Sequence, residues 1–310
     1  MTTRPGKLML LDSASLYFRA FYGMKESITA PDGTPVNAVR GFLDFITRLV
    51  TDQEPTLLVC CWDDDWRPEF RVAAIPSYKA HRVADASTDA EEVPDTLAPQ
   101  VPVIADVLAA FGIARIGVPG YEADDVIGTL AARADVPVDV VTGDRDLFQV
   151  IDDARRVRVL YTAKGGVARA ELVTESVVSE RYGVPPQAYA DFAALRGDPS
   201  DGLPGVPGVG EKTAAALITA YGSLDGVRRA AEAGDPGARA SVHDKVLAAR
   251  DYLDVAPTVV RVALDVPVPD HDDRLPTAPT DPAALATLAE RWGLATSVAR
   301  LTAALRASGG

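Results

Sequence analysis

The chain has 310 residues, of which 47% are hydrophobic, and this is enough for one large core with a smaller satellite. A formal net charge of −13 at first disfavours a nucleic-acid partner, but the distribution of charge along the chain matters more than its total. No apolar run approaches the roughly 20 residues that cross a bilayer. The apolar run near the start ends at Asp12 and is too short for a secretory signal, so we expect a cytoplasmic protein without membrane contact.

Short apolar runs alternate with helical patterns through the first half of the chain. The predicted strands are KLMLLD, TLLVCCWD, IARIGV, VDVVTGD and VRVLY, and helical patterns lie near residues 36–51, 100–111 and 123–133. This alternation predicts an α/β fold, a largely parallel sheet with helices on both faces. Cys60 and Cys61 are adjacent in the second strand, so we expect them on opposite faces as buried, reduced thiols.

Residues 64–100 interrupt this alternation with a segment that is basic in its first half and acidic in its second. It is too long for an ordinary connection, which predicts either a functional lid or a partly disordered insertion. From about residue 174 the pattern is helical and rich in alanine. We predict an α/β core at 1–173 and a helical region at 174–310, with an extended strap at 255–270 and two final helices before a frayed tail.

Acidic residues cluster where predicted strands end and in three short motifs. The candidates are Asp12, Asp63, Glu122, Asp124, Asp125, Asp144, Asp146, Asp198 and Asp201. Several of them follow strands, and parallel sheets bind ligands beyond the carboxyl ends of their strands. Any single one could instead be a helix cap or turn residue, as Asp124 and Asp125 open a predicted helix.

Converging carboxylates repel one another unless cations neutralise them. Mg²⁺ or Mn²⁺ suits a site of oxygen ligands, and His81, His243 and His271 all lie outside the clusters, which argues against zinc. Two such ions roughly 4 Å apart can activate water and stabilise the leaving oxygen of a phosphodiester. The pattern therefore indicates metal-dependent phosphodiester chemistry.

Two further segments carry features of DNA binding. GLPGVPGVGEKTA places glycines before a helix predicted to begin near Lys212, so backbone amides can face a phosphate, although a plain tight turn is the alternative. SYKAHR brings cations into the long insertion without helical pair spacing, and its alternative is a solvated basic loop.

In order, Asp12, Asp63, SYKAHR, GYEADD, TGDRD and GDPSDGLPGVPGVGEKTA resemble the flap endonuclease family over about residues 7–305. They are most similar to the 5′ nuclease domain of bacterial DNA polymerase I and its stand-alone relatives. The resemblance implies a PIN-like nuclease core, a helical arch at about 64–100 and a helix-three-turn-helix at about 195–222. It also implies a structure-specific 5′ nuclease, both 5′-to-3′ exonuclease and flap endonuclease, that uses two divalent cations.

The same resemblance assigns roles to individual residues. Asp63, Glu122 and Asp124 would hold the first metal, with Asp12 and Asp125 close by, and Asp144, Asp146, Asp198 and Asp201 would hold the second. Lys79 and Arg82 would meet the scissile phosphate beside Tyr78. DNA contacts would come from Phe18, which could instead be core, and from Arg19, Gly208, Gly210, Lys212 and Thr213. The carbonyl oxygens of Gly205, Val206 and Val209 would hold K⁺.

One departure from the family pattern leaves a ligand open. Trp62 precedes Asp63 where the family has phenylalanine, and Asp64 or Asp65 could replace Asp63 as the ligand, although the strand register favours Asp63.

The expected partners are DNA with a 5′ flap, a nick or a branch, and proteins of repair and replication. We expect a monomer at the bacterial nucleoid. Two other functions remain: a non-catalytic protein that binds branched DNA, and a PIN-type ribonuclease, whose relatives usually lack the glycine-rich hairpin.

Overall fold

The computed structural model describes residues 6–85 and 90–308. The strands are β1 (Leu8–Asp12), β2 (Leu57–Cys61), β3 (Val83–Asp85), β4 (Ala90–Glu91), β5 (Ala114–Ile116), β6 (Val138–Thr142), β7 (Val157–Tyr161) and β8 (Glu171–Val173). The helices are α1 (Ser13–Gly23), α2 (Asn37–Gln53), α3 (Glu69–Ala74), α4 (Gln100–Phe111), α5 (Ala123–Arg133), α6 (Glu175–Tyr182), α7 (Tyr189–Arg196), α8 (Glu211–Tyr221), α9 (Leu224–Ala233), α10 (Ala240–Ala248), α11 (Arg250–Val260), α12 (Pro282–Arg291) and α13 (Ala295–Ser308).

Six strands form one sheet in the order β5-β2-β1-β6-β7-β8. The first five are parallel, and β8 is antiparallel to β7 at the edge. The sequence predicted this largely parallel sheet correctly. The chain moves from β1 to β2 in one direction and crosses to β6 in the other, so a ligand crevice is expected between the carboxyl ends of β1 and β6.

Each face of the sheet is covered by a separate apolar core. Leu10 and Cys61 pack with α5 and the helices of the second half, whereas Leu11 and Cys60 pack with α1, α2 and α4. This alternation follows from the period of two residues in a strand. As expected from the sequence, the two cysteines are buried free thiols on opposite faces.

The last two helices return to the core. Leu285 of α12, Leu294 and Leu301 are buried in the same cluster as Phe42 of α2 and Phe111 of α4. The sequence predicted both helices. Their packing means that the end of the described chain stabilises the face of the sheet opposite the helices α6 to α11.

The extended strap was predicted too early in the chain. Residues up to Val260 belong to α11, and the irregular strap follows from Arg261. Leu253, Ala256 and Val260 lie on one buried face of this helix at helical spacing, and that burial outweighs the helix-breaking tendency of Pro257.

The insertion at 64–100 is only partly helical, which corrects the expectation of a helical arch. Its described residues form the short helix α3, a single 3₁₀ turn and the antiparallel pair β3–β4, and residues 86–89 lie outside the described range. None of the described helices is both long and apolar enough to cross a bilayer.

Candidate active site

Asp12 lies at the carboxyl end of β1, beside the end of β6. Its carboxylate accepts hydrogen bonds from the Ser15 amide (3.1 Å) and from the Thr142 hydroxyl (2.6 Å). The Gly143 amide in turn donates to the Ser15 hydroxyl at 2.9 Å. Asp12 therefore caps α1 and ties the two central strands together while it faces the crevice between them.

Asp63 follows β2, and its carboxylate accepts the Ala123 amide at 2.8 Å, at the start of α5. The alternatives do not reach this position. The Asp64 carboxyl lies against Gly117, and Asp65 accepts the Arg67 amide at 3.2 Å. Asp63 alone of the three lines the cavity described below, as the strand register predicted.

Glu122 is buried at the start of α5 and is held by three donors from the insertion. The Lys79 ammonium lies 2.7 Å from one oxygen, while the Tyr78 hydroxyl lies 2.8 Å and an Arg71 nitrogen 3.4 Å from the other. Tyr78 lies beside Lys79, as expected, but it is only 4% exposed, so in this conformation its ring packs inside the protein and is not accessible to DNA.

Asp125 does not line the cavity but lies directly behind Glu122. It is fully buried, and Arg71 binds both its oxygens at 2.7 and 2.8 Å. The Ala263 and Glu122 amides donate to the same carboxylate. Arg71 also donates to the Val259 carbonyl, so this ion pair joins the insertion, α5 and the strap.

The remaining acids form a second group after β6 and α7. Asp144 accepts the Asp146 amide at 2.8 Å. Asp198 is paired with Arg145 (2.7 Å) and Arg196 (3.1 Å), and Asp201 is paired with Arg82 (3.0 Å).

An open cavity of about 440 Å³ joins the first group of acids to the second. Its charged lining consists of Asp12, Asp63, Glu91, Glu122, Asp124, Asp144, Lys79, Arg82 and Arg145. An inner pocket of about 20 Å³, which is room for about one water molecule or ion, is lined in part by Glu122, Asp124, Asp146 and Asp201. Phe18 also lines the open cavity, where a base could reach it.

Four carboxyl groups of the site, those of Asp12, Asp63, Asp124 and Asp146, have pKa values above the ordinary range. Burial, aided by the charge on Asp63, raises the pKa of Asp12 to about 7, although the Thr142 hydrogen bond opposes this. Burial likewise raises the pKa of Asp63 to about 6, against the opposing effect of Lys79. The pKa values of Asp124 and Asp146 are raised for the same first reason, with repulsion from neighbouring acids added.

Asp198 behaves differently because it has cationic partners. Burial opposes its ionisation, but the Ser200 hydrogen bonds and Arg145 lower its pKa below the ordinary value. It is therefore a structural anchor for the loop after α7 in this conformation.

Within the described residues, no three carboxylate, histidine or cysteine side chains lie close enough together to hold a metal ion as they stand. Lys79 and the arginines occupy oxygens that a cation would need. The donor set nevertheless fits Mg²⁺ or Mn²⁺, because it consists of carboxylate oxygens. Asp146 Oδ1 is buried and has no hydrogen-bond partner among residues 6–85 and 90–308, so a cation or a water molecule would satisfy it.

The insertion is joined to the loop after α7 directly above the cavity. The Lys79 amide donates to the Asp201 carbonyl (2.9 Å), the Ser77 hydroxyl to the Gly202 carbonyl (2.8 Å), and Arg82 to the Ser200 carbonyl (2.8 Å). We call these contacts the insertion latch. It places the two cations of SYKAHR at the wall of the cavity.

The glycine-rich hairpin runs from Gly202 to Gly210, and α8 follows it at Glu211, one residue before the predicted start. Gly210 has open space where a side chain would lie, and Lys212 is exposed beside it. The Val206 and Val209 side chains are buried, and the Val206 carbonyl accepts the Val209 amide at 2.9 Å. Thr213 lies in the first turn of α8, where its amide donates to the Gly210 carbonyl.

Several residues of the site were missed at the level of sequence. Arg145 could have been found, because it lies between two candidate acids in TGDRD. Glu91 gave no signal, since only the pairing of β3 with β4 brings it to the cavity. Lys245 is far along the chain, yet its ammonium lies 3.1 Å from the Gly208 carbonyl.

Comparison with known families agrees with this architecture. Residues 7–183 match the 5′-3′ exonuclease N-terminal resolvase-like domain, and residues 184–283 match the 5′-3′ exonuclease C-terminal SAM fold. A 5′-3′ exonuclease of Streptomyces coelicolor is 62% identical, with 96% of this chain and all of that protein covered. A 5′-3′ exonuclease of Mycobacterium tuberculosis is 54% identical, with 96% and 97% covered.

Solved structures show the same fold at low identity. The bacteriophage T5 D15 protein, co-crystallised with metal ions, has a TM-score of 0.64 at 16% identity and covers 98% of this chain and 100% of its own. Human GEN1, in complex with Holliday junction DNA, has a TM-score of 0.65 at 17% identity and covers 98% and 73%. With the sequence relatives, which match almost from end to end, these findings place the chain in the 5′-3′ exonuclease family of nucleases.

Proposed function

We propose that this nuclease hydrolyses DNA phosphodiesters next to 5′ flaps, nicks or 5′ ends and leaves a 5′-phosphate and a 3′-hydroxyl. The observation that carries the proposal is the meeting of acids from the carboxyl ends of β1, β2 and β6 under Lys79 and Arg82. Two divalent cations, Mg²⁺ or Mn²⁺, would supply an activated water and charge neutralisation at the phosphate. Asp63, Glu122 and Asp124 would hold the first, with Asp12 and Asp125 close by. Asp144, Asp146, Asp198 and Asp201 would hold the second, once a cation displaces the arginines paired with Asp198.

Lys79 and the arginines act as internal counter-ions in the absence of cations. The Lys79 ammonium is buried against Glu122, and this carboxylate raises its pKa despite the opposing effect of burial, so it stays charged. A cation at Glu122 would release Lys79 toward the cavity. There it would neutralise the charge that grows on the phosphate in the transition state, with Arg82 beside it.

The hairpin would grip duplex DNA away from the cut. The amino-terminal end of α8 and the open space at Gly210 allow close approach of a phosphate, with Lys212 and Thr213 next to it. Gly205 adopts a left-handed conformation against Gly197, which turns the carbonyls of this segment. We assign the Gly205, Val206 and Val209 carbonyls to a K⁺ ion. Residues 1–173 would form the nuclease unit and 174–310 the DNA-binding unit, although α12 and α13 pack on the nuclease core.

The test is a panel of 5′-labelled flap, nicked, single-stranded and RNA-flap substrates with Mg²⁺ or Mn²⁺, and with EDTA as control. We expect cleavage of the DNA flap near its base and none in EDTA. Asp144→Ala should abolish cleavage without loss of fold, whereas Asp265→Ala, a change at an exposed strap residue, should not matter. Preference for RNA would support a ribonuclease, and DNA binding without any cleavage would support a non-catalytic binder.

A further inference from the structure

A second groove of about 700 Å³ lies beside the acidic cavity. It is formed by α1, the middle of α2 and the loop after β7, and its lining includes Phe18, Arg19, Tyr22, Met24 and Phe45. Ser15 and Phe18 belong to the linings of both. The groove is therefore continuous with the place where the scissile phosphate would lie.

The wall of this groove presents an unusually exposed aromatic ring. Tyr22 is 71% exposed, and its ring is nearly parallel to that of Phe18, with an angle of 18° and a centroid distance of 6.5 Å. Phe18 in turn contacts Tyr17, with a centroid distance of 5.3 Å. A run of aromatic rings thus leads from the acidic cavity outward to solvent, and the open face of Tyr22 is free to stack on a flat partner.

The charge of the groove is opposite to that of the cavity next to it. The residues found to line it include one cation, Arg19, and no carboxylate. Arg19 Nε is buried and has no hydrogen-bond partner within the described ranges. Lys25, Lys164 and Glu26, all exposed, lie within two residues of lining positions, so these neighbours add one further net positive charge. In a chain with a net charge of −13, such a groove favours a ligand that is flat at one end and anionic at the other.

We propose that this groove binds one unpaired nucleotide of the cleaved DNA strand next to the scissile phosphate, with its base stacked on Tyr22 and its phosphate near Arg19. This inference rests on the proposed function, which places that phosphate in the acidic cavity. It adds a base position beyond Phe18 and makes Tyr22 a determinant of where the strand is cut.

The groove is continuous with the acidic cavity, and this favours a nucleotide of the cleaved strand as its ligand. A nucleotide attached to the scissile phosphate must lie within one backbone repeat of the acids, and the shared Ser15 and Phe18 mark that position. Stacking on an aromatic ring tolerates every base, which suits an enzyme that recognises shape. The hydroxyl of Tyr22 is not needed for stacking, so Tyr22→Phe is a matched conservative variant.

The test places 2-aminopurine, a fluorescent base, at single positions on either side of the cut in a 5′-flap substrate and measures binding in EDTA. With wild type and Tyr22→Phe we expect quenching at one unpaired position of the cleaved strand. Tyr22→Leu should abolish this quenching and weaken binding about tenfold, within the range for loss of one stacked base. An abasic nucleotide at that position should cost wild type a similar factor and cost Tyr22→Leu little more. Leu172→Ala, at an exposed residue of β8, is the control.

If Tyr22→Leu loses the same factor of affinity relative to wild type on the normal and on the abasic substrate, the loss does not come from stacking on that base. This result would overturn the stacking role of Tyr22. Quenching confined to the 3′ end of the adjoining strand would overturn the assignment to the cleaved strand. These outcomes differ from failure of the proposed function, because in that case wild type itself would not cut the unmodified flap with Mg²⁺ or Mn²⁺. If wild type cuts the flap and Tyr22→Leu cuts at the same position with unchanged binding, the groove is not a nucleotide site.

Discussion

In the proposed mechanism Lys79 pairs with two groups in turn. In this structure its partner is Glu122, and with cations and DNA bound it would be the scissile phosphate. Its backbone lies in the left-handed region with φ of 48°, which costs conformational energy and is maintained by its hydrogen bond to Asp201. An ammonium held this way is aimed at the cavity by the backbone, so it can exchange a carboxylate for a phosphate without a large movement of the chain.

Replacing Lys79 with alanine should therefore lower the rate of the chemical step. We expect the single-turnover rate to fall on the order of 10²-fold or more, because charge neutralisation is lost mainly in the transition state. DNA affinity should fall only modestly, since one phosphate contact among many contributes little. Arg274→Ala, at a 79% exposed arginine of the strap, is the control. A steep loss of affinity with an unchanged saturated rate would make Lys79 a binding residue only.

At the level of elements, the insertion latch couples the cations to the hairpin loop. Gly202 has φ of 72°, and a Cβ there would lie 2.1 Å from the Ser77 carbonyl oxygen. Gly202→Ala should open the latch and displace Lys79 and Arg82, so we expect the single-turnover rate to drop at least tenfold. Gly234→Ala is a matched control, because this glycine also has positive φ but open space around it. Equal rates for the two variants would show that the latch does not position the cations.

The hairpin gives a second prediction at this scale. Gly210 has ordinary φ and open space, so Gly210→Val should fold normally while its side chain blocks the approach of a phosphate. We expect flap-DNA affinity at moderate salt to fall several-fold, with Mn²⁺ binding by the apoprotein unchanged. Unchanged DNA affinity would make the hairpin purely structural. Gly208 is less suitable, since a side chain there would also displace Lys245.

Local patterns predicted the elements that carry most of the site. Asp12, Asp63 and Asp144 could be placed because each follows a continuous apolar strand, and the meeting of parallel strand ends then brings them together. The partner of Asp125 could not be predicted, because Arg71 is 54 residues away and reaches it only when α3 packs against α11. The helical conformation of residues 255–260 could not be predicted either, since burial of one face of α11 is a tertiary effect.

For the whole molecule, the acidic cavity is a source of instability that depends on pH. The folded-state pKa of Asp12 is about 7, above its ordinary value of 3.8, so the folded protein holds a proton there that the unfolded chain releases. The stability of the folded protein that comes from this bound proton is fully present below about pH 4. It is lost as the pH rises through 7, where the buried carboxyl must ionise.

Asp12→Asn should consequently be more stable than wild type in EDTA at pH 8, with a smaller gain at pH 5, where Asp12 is protonated in the folded protein but already ionised in the unfolded chain. The expected gain in the free energy of unfolding is on the order of 1 kcal/mol or more, since one pKa unit corresponds to about 1.4 kcal/mol. Mn²⁺ should raise the Tm of wild type at pH 8 and that of the variant less. Thermal unfolding at both pH values measures this, with Asp265→Asn as control. A larger gain at pH 5 than at pH 8 would contradict the electrostatic account.

The central claim is that cations held by these carboxylates contact the scissile phosphate, and sulfur substitution tests it most directly. A flap substrate with one non-bridging oxygen of that phosphate replaced by sulfur should be cut at least tenfold more slowly with Mg²⁺, which binds sulfur poorly. Mn²⁺, which accepts softer ligands, should restore much of the rate. Equal slowing with both metals, or cleavage of the unmodified flap in excess EDTA, would contradict a cation bound to the phosphate.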